Sequence, residues 1–467
     1  MNYEVVVVGG GIGGLTAAAL LAARGVNVCL FERQSQVGGC VANVEHQGLQ
    51  FEPTFGLYSG WERGGVFDRV FSALPVEPPS IHPLSPAYSV RLPDGVEVFV
   101  AEDLEQFEPN LAAAFPECSK AAIEFYRDLI QVAGGTKPHL ANELVSGHLD
   151  ECSQRFRRFI DVQLQTFAQK SSDQSSFEAA ALALAPRGYW SIEGGAQSLA
   201  DTLANSLKAS GGTLRLNSTV LRLAYGPDGA PIGVDLLNGE QVIATHAIIS
   251  NLTVWDTYGK LIGMSRTPAA VSSQLKQMRA WGAYQIFLSM DRSAAARLSP
   301  RRVVALTDWQ EDQSYNPEFN QFVLSVPADF VGDTIEGTIP ACLSTFTNVE
   351  DWFSFHEDHS AHEERDQSVL ENIWSLLHAA MPELGDSVEV IETATPKTFY
   401  ESTRRKFGMI GQPSPSISTL QTTTIPNVFL VSDTVASIIG LAGVLEVASN
   451  VVDLITGRPI IPYLRRY

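Results

Sequence analysis

Along the N-terminal stretch the apolar residues fall in two rhythms. Residues 4–8, EVVVV, are apolar almost without interruption, as a parallel strand buried on both faces requires. GGGIGG follows at once, LTAAALLAARG then reads as a helix, and NVCLFE returns to a strand-like run that ends on Glu32. Farther along, YSVRLP and VEVFVA read as strands and LEQFEPNLAAAF as a helix, which predicts a sheet covered by helices. The proline-rich segment PPSIHPLSPAY, residues 78–88, precedes them and marks a crossing between domains. Residues 188–251 read as a helix, a strand, an antiparallel hairpin and a return strand, elements that would complete the N-terminal sheet.

The N-terminal pattern carries chemistry. Gly9, Gly11 and Gly14 form GxGxxG, with Ile12 and Gly13 inside the motif. Glycine permits a tight turn and close approach of backbone to a pyrophosphate, the helix start offers free amides, and Glu32 can accept from ribose hydroxyls. Strand, glycines, helix, second strand and acid together point to a dinucleotide; they do not separate NAD from FAD. After Glu32 and Arg33, RQSQVGGC leads to a second glycine pair, Gly38 and Gly39, followed by Cys40. That pair resembles the double-glycine turn of flavoproteins that bind extended FAD.

Three later stretches extend the resemblance. Residues 188–251 carry Gly194-Gly195, a helix starting near Gln197, the Gly211-Gly212 turn, a strand around Val220, a hairpin ending in Gly239-Glu240 and a strand closing on Ser250-Asn251. TPKTFYESTRRKFGMIGQ, residues 395–412, and LVSDTVASIIGLAG, residues 430–443, follow in order. The chain resembles the phytoene desaturase and carotenoid isomerase family of flavoproteins, relatives of the flavin amine oxidases. The resemblance implies an α/β fold: a discontinuous Rossmann-like FAD-binding domain of the glutathione-reductase type, from residues 1–75, 187–262 and 398–467, with an interleaved α+β substrate domain from 76–186 and 263–397. It implies that the strand at Val220 meets the adenosine end of FAD. It also implies that Asp433 accepts from the ribityl chain near the pyrophosphate, and that the helix from about Gly440, carrying Gly443 and Val444, aims its amides at the flavin N1 and O2 edge.

The sequence departs from that family at several positions. Ser432 stands where Gly is usual before the Asp, and Ser437-Ile438 where a Pro-Gly pair is usual. Cys40 replaces the Arg found in amine oxidases, and FEPT at residues 51–54 has Glu52 and Thr54 in place of Asp and Gly.

Composition narrows the function. A net charge of -20 argues against nucleic acid, whose binders present a basic face. Five cysteines are scattered without a CxxC pair, so neither a disulfide framework nor a zinc knuckle is expected. The start lacks the features of a secretory signal, and residues 425–448, the most apolar run, are broken by Asp433 and Glu446; a cytoplasmic protein with at most peripheral membrane contact is expected. RFRRFIDVQLQTFAQK, residues 155–170, places Arg155, Arg157 and Arg158 on an amphipathic helix that suits either an anionic membrane or ordinary half-burial. His356, His359 and His362 share helical spacing among acidic residues; a solvated helix face is the simpler reading, and no metal is expected.

The resemblance implies an FAD-dependent oxidoreductase working on a hydrophobic polyene or isoprenoid by hydride transfer at flavin N5, with desaturation, saturation or isomerisation as outcomes. No catalytic side chain is assigned, since such chemistry needs no side-chain nucleophile. Tyr58, Trp61, Tyr189 and Trp190 either line the cavity or belong to the core. Two other readings stay open: a flavin oxidase of amines or amino acids, and a non-catalytic lipid or prenyl-protein binder on the same fold.

Overall fold

The valine run becomes the centre of a seven-stranded sheet. In this computed structural model, whose described residues are 2–309, 315–327, 337–353, 359–411, 423–436 and 440–458, β1 (Asn2–Val8) lies parallel to β2 (Val28–Phe31) on one side and to β12 (Gln241–Ser250) on the other. Val5 sits level with Val28 and with Ala247. β9 (Thr213–Arg215) adds beyond β2. Strand β12 is long enough to serve two partners: its start pairs with the antiparallel hairpin β10 (Val220–Tyr225) and β11 (Pro231–Leu236), its end with parallel β18 (Val428–Leu430). This one sheet therefore draws strands from three widely separated stretches of chain. Helix Ile12–Ala23, buried in all but its last residue, packs between helices Gly195–Ala209 and Leu441–Thr456. Its small side chains let those helices approach closely, and the valines lose water on both faces.

The second sheet runs β17 (Val388–Ala394), β13 (Gly282–Asp291), β16 (Thr338–Thr347), β15 (Gln321–Ser325), β14 (Arg302–Leu306), β6 (Tyr88–Arg91) and β7 (Glu97–Val100), antiparallel except where β14 meets β6. Alternation along β14 shows how it is covered. Val304 and Leu306 join the core under helices Leu104–Ala114, Ser119–Ala133, Gln154–Ala168 and Phe177–Leu184, whereas Val303 and Ala305 join the opposite core, under helix His359–Ala380. The proline-rich crossing is not simply a loop: β5 (Ile81–Leu84) pairs with β8 (Tyr189–Ile192) in a two-stranded ribbon, where Pro83 is tolerated because no strand lies beyond it. A hairpin of β3 (Val44–His46) and β4 (Leu49–Phe51) packs against Phe287 of the second sheet.

Two stretches singled out from the sequence lie among these elements. Helix Gln154–Ala168 buries Phe156, Phe159, Ile160 and Leu164, while Arg155, Arg157 and Arg158 pair with Asp94, Asp150 and Asp161. A packed helix with tethered arginines accounts for its pattern. His362 packs edge-on against Trp352 at 5.5 Å between ring centres, and burial lowers its pKa; His356 lies outside the described residues. Among the described residues no group of three or more metal-type side chains is assembled, and no helix is long and apolar enough to cross a membrane. All five cysteines are free.

Candidate functional site

The glycine motif makes the turn its spacing calls for. Strand β1 ends at Val8, Gly9 adopts φ +103°, and helix Ile12–Ala23 starts after Gly11, whose backbone caps the helix without any side chain to occupy the first amides. A Cβ on Gly14 would sit 2.1 Å from the Gly9 carbonyl oxygen, so strand and helix pack too closely for alanine. A Cβ on Gly11 would meet Asn251 Oδ1 at 2.6 Å, and one on Gly13 would meet Asn251, Val431 and Val444 at 2.9 Å. Asn251 is thus the buttress of the turn, and its Nδ2 donates to the Val431 carbonyl at 2.6 Å. Its place at the end of a strand beside the motif was the only sequence signal for that role.

Glu32 closes the same turn from below. Its carboxylate accepts from the Gly10 amide at 2.7 Å and from the Gln34 amide at 2.7 Å, which leaves each oxygen a further lone pair for a hydroxyl. Gly38 donates from its amide to the Gly10 carbonyl at 2.9 Å, and a Cβ on Gly39 would lie 3.3 Å from Gly11, so the second glycine pair is stacked directly on the first. Arg33 points elsewhere: its guanidinium donates to the Ser402 carbonyl. Val220 opens β10, two residues after Ser218, whose amide donates to the Glu32 carbonyl at 2.8 Å.

Asp433 lies just past β18 at the start of a short turn, and it has a protein partner that sequence reading did not supply. Arg405 grips it with two nitrogens, at 3.2 and 2.8 Å, and donates Nε to the Met409 carbonyl at 2.8 Å. The guanidinium is largely buried and faces Cys40 as well. Burial pushes the Cys40 thiol up; Arg405 pulls it down, and Asp433 pushes it up again. Helix Leu441–Thr456 begins after Gly440, φ +86°, with Gly443 and Val444 buried in its first turn; Val444 touches the GxGxxG turn. Ser437 and Ile438 lie outside the described residues. Gly9 through Gly14, Glu32, Gly39, Cys40, Asp433, Gly443 and Val444 therefore converge, whereas Arg33 and Val220 stand at the periphery.

A second group lies next to it. Glu52, buried, accepts from the Thr54 hydroxyl at 3.0 Å, the Tyr58 hydroxyl and the Ala196 amide at 3.1 Å, while Cys342 of the second sheet donates to its carbonyl at 3.2 Å. Gly56 lies tight against both Glu52 and Arg302 of β14. Glu52, one of the residues that depart from the family pattern, thus ties elements of the two sheets together. Burial, reinforced by the Glu52 charge, raises the Tyr58 pKa well above its ordinary value, so Tyr58 is a neutral donor.

Above this group a cleft of about 110 Å³ opens between the first turn of helix Leu441–Thr456 and the helical layer of the second sheet. Leu57, Phe167, Leu182 and Leu441 give it apolar walls; Tyr58, Tyr189, Lys170 and Arg187 give it polar points. Of the four aromatic residues singled out from sequence, Tyr58 and Tyr189 line the cleft, Trp61 stacks on Phe67 with ring centres 4.2 Å apart, and Trp190 pairs backbone to backbone with Tyr58.

A family model described as flavin containing amine oxidoreductase matches residues 12–446, from the glycine turn to the C-terminal helix. The chain belongs to that family. It is 24% identical over 463 residues to prolycopene isomerase of Daucus carota, covering 89% of this chain and 72% of that one. It is 25% identical over 317 residues to all-trans-retinol 13,14-reductase of Homo sapiens, covering 60% of this chain and 52% of that one. A crystal structure of an oxidoreductase from Methanosarcina mazei superposes with a TM-score of 0.68 at 18% identity, covering 97% of this chain and all of the other, which speaks for the fold. The protein is an FAD-dependent oxidoreductase of this family, and the likeness to carotenoid isomerases and desaturases read from its motifs holds.

The site fits the cofactor. A phosphate-bearing dinucleotide would meet the free amides of helix Ile12–Ala23, the Gly11–Gly39 stack and the Arg405 cation; Glu32 would take the ribose. Asn43 Oδ1 and Gln197 Oε1, buried near the Gly38–Gly39 turn, have no hydrogen-bond partner among the described residues, as acceptors awaiting ligand hydroxyls would.

Proposed function

We propose that this flavoenzyme oxidises, reduces or isomerises a hydrophobic polyene or isoprenoid. The observation that carries the reading is the cleft: apolar walls from Leu57, Phe167, Leu182 and Leu441 meet the amino end of helix Leu441–Thr456 beside the nucleotide site, and no acid–base dyad or activated nucleophile faces it among its lining residues. FAD supplies hydride transfer at N5, which desaturation, saturation and isomerisation of a conjugated chain can all use. The chain's own residues bind and shield. The glycine-turn amides and Arg405 would hold the diphosphate, the walls of the cleft would exclude water, and the free amides of helix Leu441–Thr456 would favour negative charge on the bound flavin. Tyr58, held neutral by burial and the Glu52 charge, donates a fixed hydrogen bond to Glu52 beneath the cleft.

An amine substrate suits the site less well. Lys170 and Arg187 line the cleft and repel a cation, and Cys40 occupies the position at which amine oxidases carry arginine. The deciding test mixes the purified, FAD-loaded protein anaerobically with polyenes and isoprenoids, follows the flavin band at about 450 nm, and separates the products. A polyene that bleaches the flavin, or returns isomerised, is the expected result. Turnover of water-soluble amines with peroxide release, and none of polyenes, would overturn it.

A further inference from the structure

The cleft holds two cations that a pure hydrocarbon does not need. Lys170 is half-buried, and among the described residues it makes no hydrogen bond and no ion pair. Arg187 is anchored by carbonyls, Nε to Ala185 at 3.1 Å and Nη2 to Ala181 at 2.9 Å, and has no carboxylate partner among the described residues. Among the described residues no Asp or Glu lines the cleft. The contrast with the neighbouring helix is informative: Arg155, Arg157 and Arg158 of Gln154–Ala168 each have an acid. In a chain with 52 acidic and 32 basic side chains, partners for two cations were plentiful, yet none was placed here. Removing a cation from water without a counter-charge costs free energy, and burial indeed lowers the Lys170 pKa, its one resolved cause.

Other features point the same way. The N-terminal end of helix Leu441–Thr456 borders the cleft at Gly440–Ala442 and adds positive potential, and Tyr189 lines the wall.

Resting on the polyene reading above, we propose that Lys170 and Arg187 receive an anionic end group, a carboxylate or a phosphate, carried by an otherwise apolar polyene or isoprenoid substrate. The charged end fixes how far the chain enters, and so which carbon reaches the flavin. The substrate class is thereby an amphipathic acid or phosphate ester, not a bare hydrocarbon.

The test uses the FAD-loaded protein and matched ligand pairs: all-trans-retinoate against all-trans-retinol, and geranylgeranyl phosphate against geranylgeraniol. Binding is read from perturbation of the flavin absorption spectrum during titration. At least one charged member should bind about tenfold or more tightly than its alcohol, the scale of one charge-assisted hydrogen bond. In Lys170→Met and Arg187→Met the discrimination should shrink to about twofold, and in Lys170→Glu it should reverse, with FAD retention and a thermal melt confirming that each variant is folded. Alcohols that bind as tightly as their charged partners, or discrimination that survives Lys170→Met and Arg187→Met, would overturn this inference and leave the polyene reading standing. Failure of every chain to perturb the flavin would overturn both.

Discussion

Replacing Arg405 by Met tests the nucleotide site most directly. The guanidinium makes two bonds to Asp433 and one to the Met409 carbonyl, with Arg405 and Asp433 side chains 14% and 32% exposed. Breaking a fully buried pair costs about 3–5 kcal/mol. Partial exposure of Asp433 screens the charge, and Ser432 Oγ still donates to it at 3.0 Å, so the loss in the cofactor-free protein should be about 1–3 kcal/mol. Cofactor affinity gives the sharper number. A charge-assisted contact to a phosphate is worth about 1.5–3 kcal/mol, which multiplies the FAD dissociation constant by about 10–150. The assay is quenching of FAD fluorescence on titration with each protein, alongside urea denaturation. Cys40 faces the same guanidinium, so Cys40→Arg added to Arg405→Met puts a cation back from the other side and should recover most of the lost affinity. An Arg405→Met protein that is less stable yet binds FAD within about twofold of wild type would refute the assignment and leave Arg405 a purely structural tie.

Three further outcomes follow from the geometry. Gly14→Ala should abolish FAD retention, because its Cβ meets the Gly9 carbonyl at 2.1 Å, whereas Gly25→Ala, with open space but φ +82°, should cost about 1–2 kcal/mol of stability and leave FAD bound. Glu52→Gln weakens the charge-assisted bonds from Tyr58, Thr54 and the Ala196 amide, and should lower the stability read from the urea midpoint by about 1–3 kcal/mol. Burial pushes the Cys29 and Cys152 thiols up to about 12; a thiol whose folded pKa is raised binds its proton more tightly than in the unfolded chain, so stability should fall as pH climbs above about 9, by up to about 1.4 kcal/mol per pH unit for each, and the Cys29→Ala, Cys152→Ala double variant should show a shallower fall.

The nucleotide half was legible because its signals are local. GxGxxG dictates a turn that no side chain could share, and a run of valines between glycines has few options besides a buried strand. Elements from residues 188–251 were placed correctly for the same reason, by turn glycines and alternation. The Asp433–Arg405 pair was not legible: the residues are 28 positions apart, and nothing in the spacing of either stretch brings the two together. Glu52 looked like a defect in a motif; only the approach of Ala196 and Cys342 from distant segments shows that its carboxylate and carbonyl are both used. Lys170 and Arg187 carried no signal, since an absent counter-ion is a property of three-dimensional surroundings.

The sheet built from three distant stretches also governs when the site can come into being. Gly13 is tight against Val431 and Val444, and β18 pairs with β12 only after residues 428–430 exist. During synthesis the glycine turn therefore emerges long before β18 and helix Leu441–Thr456, which supply its last wall. Its apolar strands are exposed throughout that interval, so folding should be slow, dependent on long-range closure and prone to association until helix Leu441–Thr456 docks. Flavin capture should accordingly wait for helix Leu441–Thr456, and a ribosome stalled short of it would hold a protein with its sequence motif complete and no place to put the cofactor.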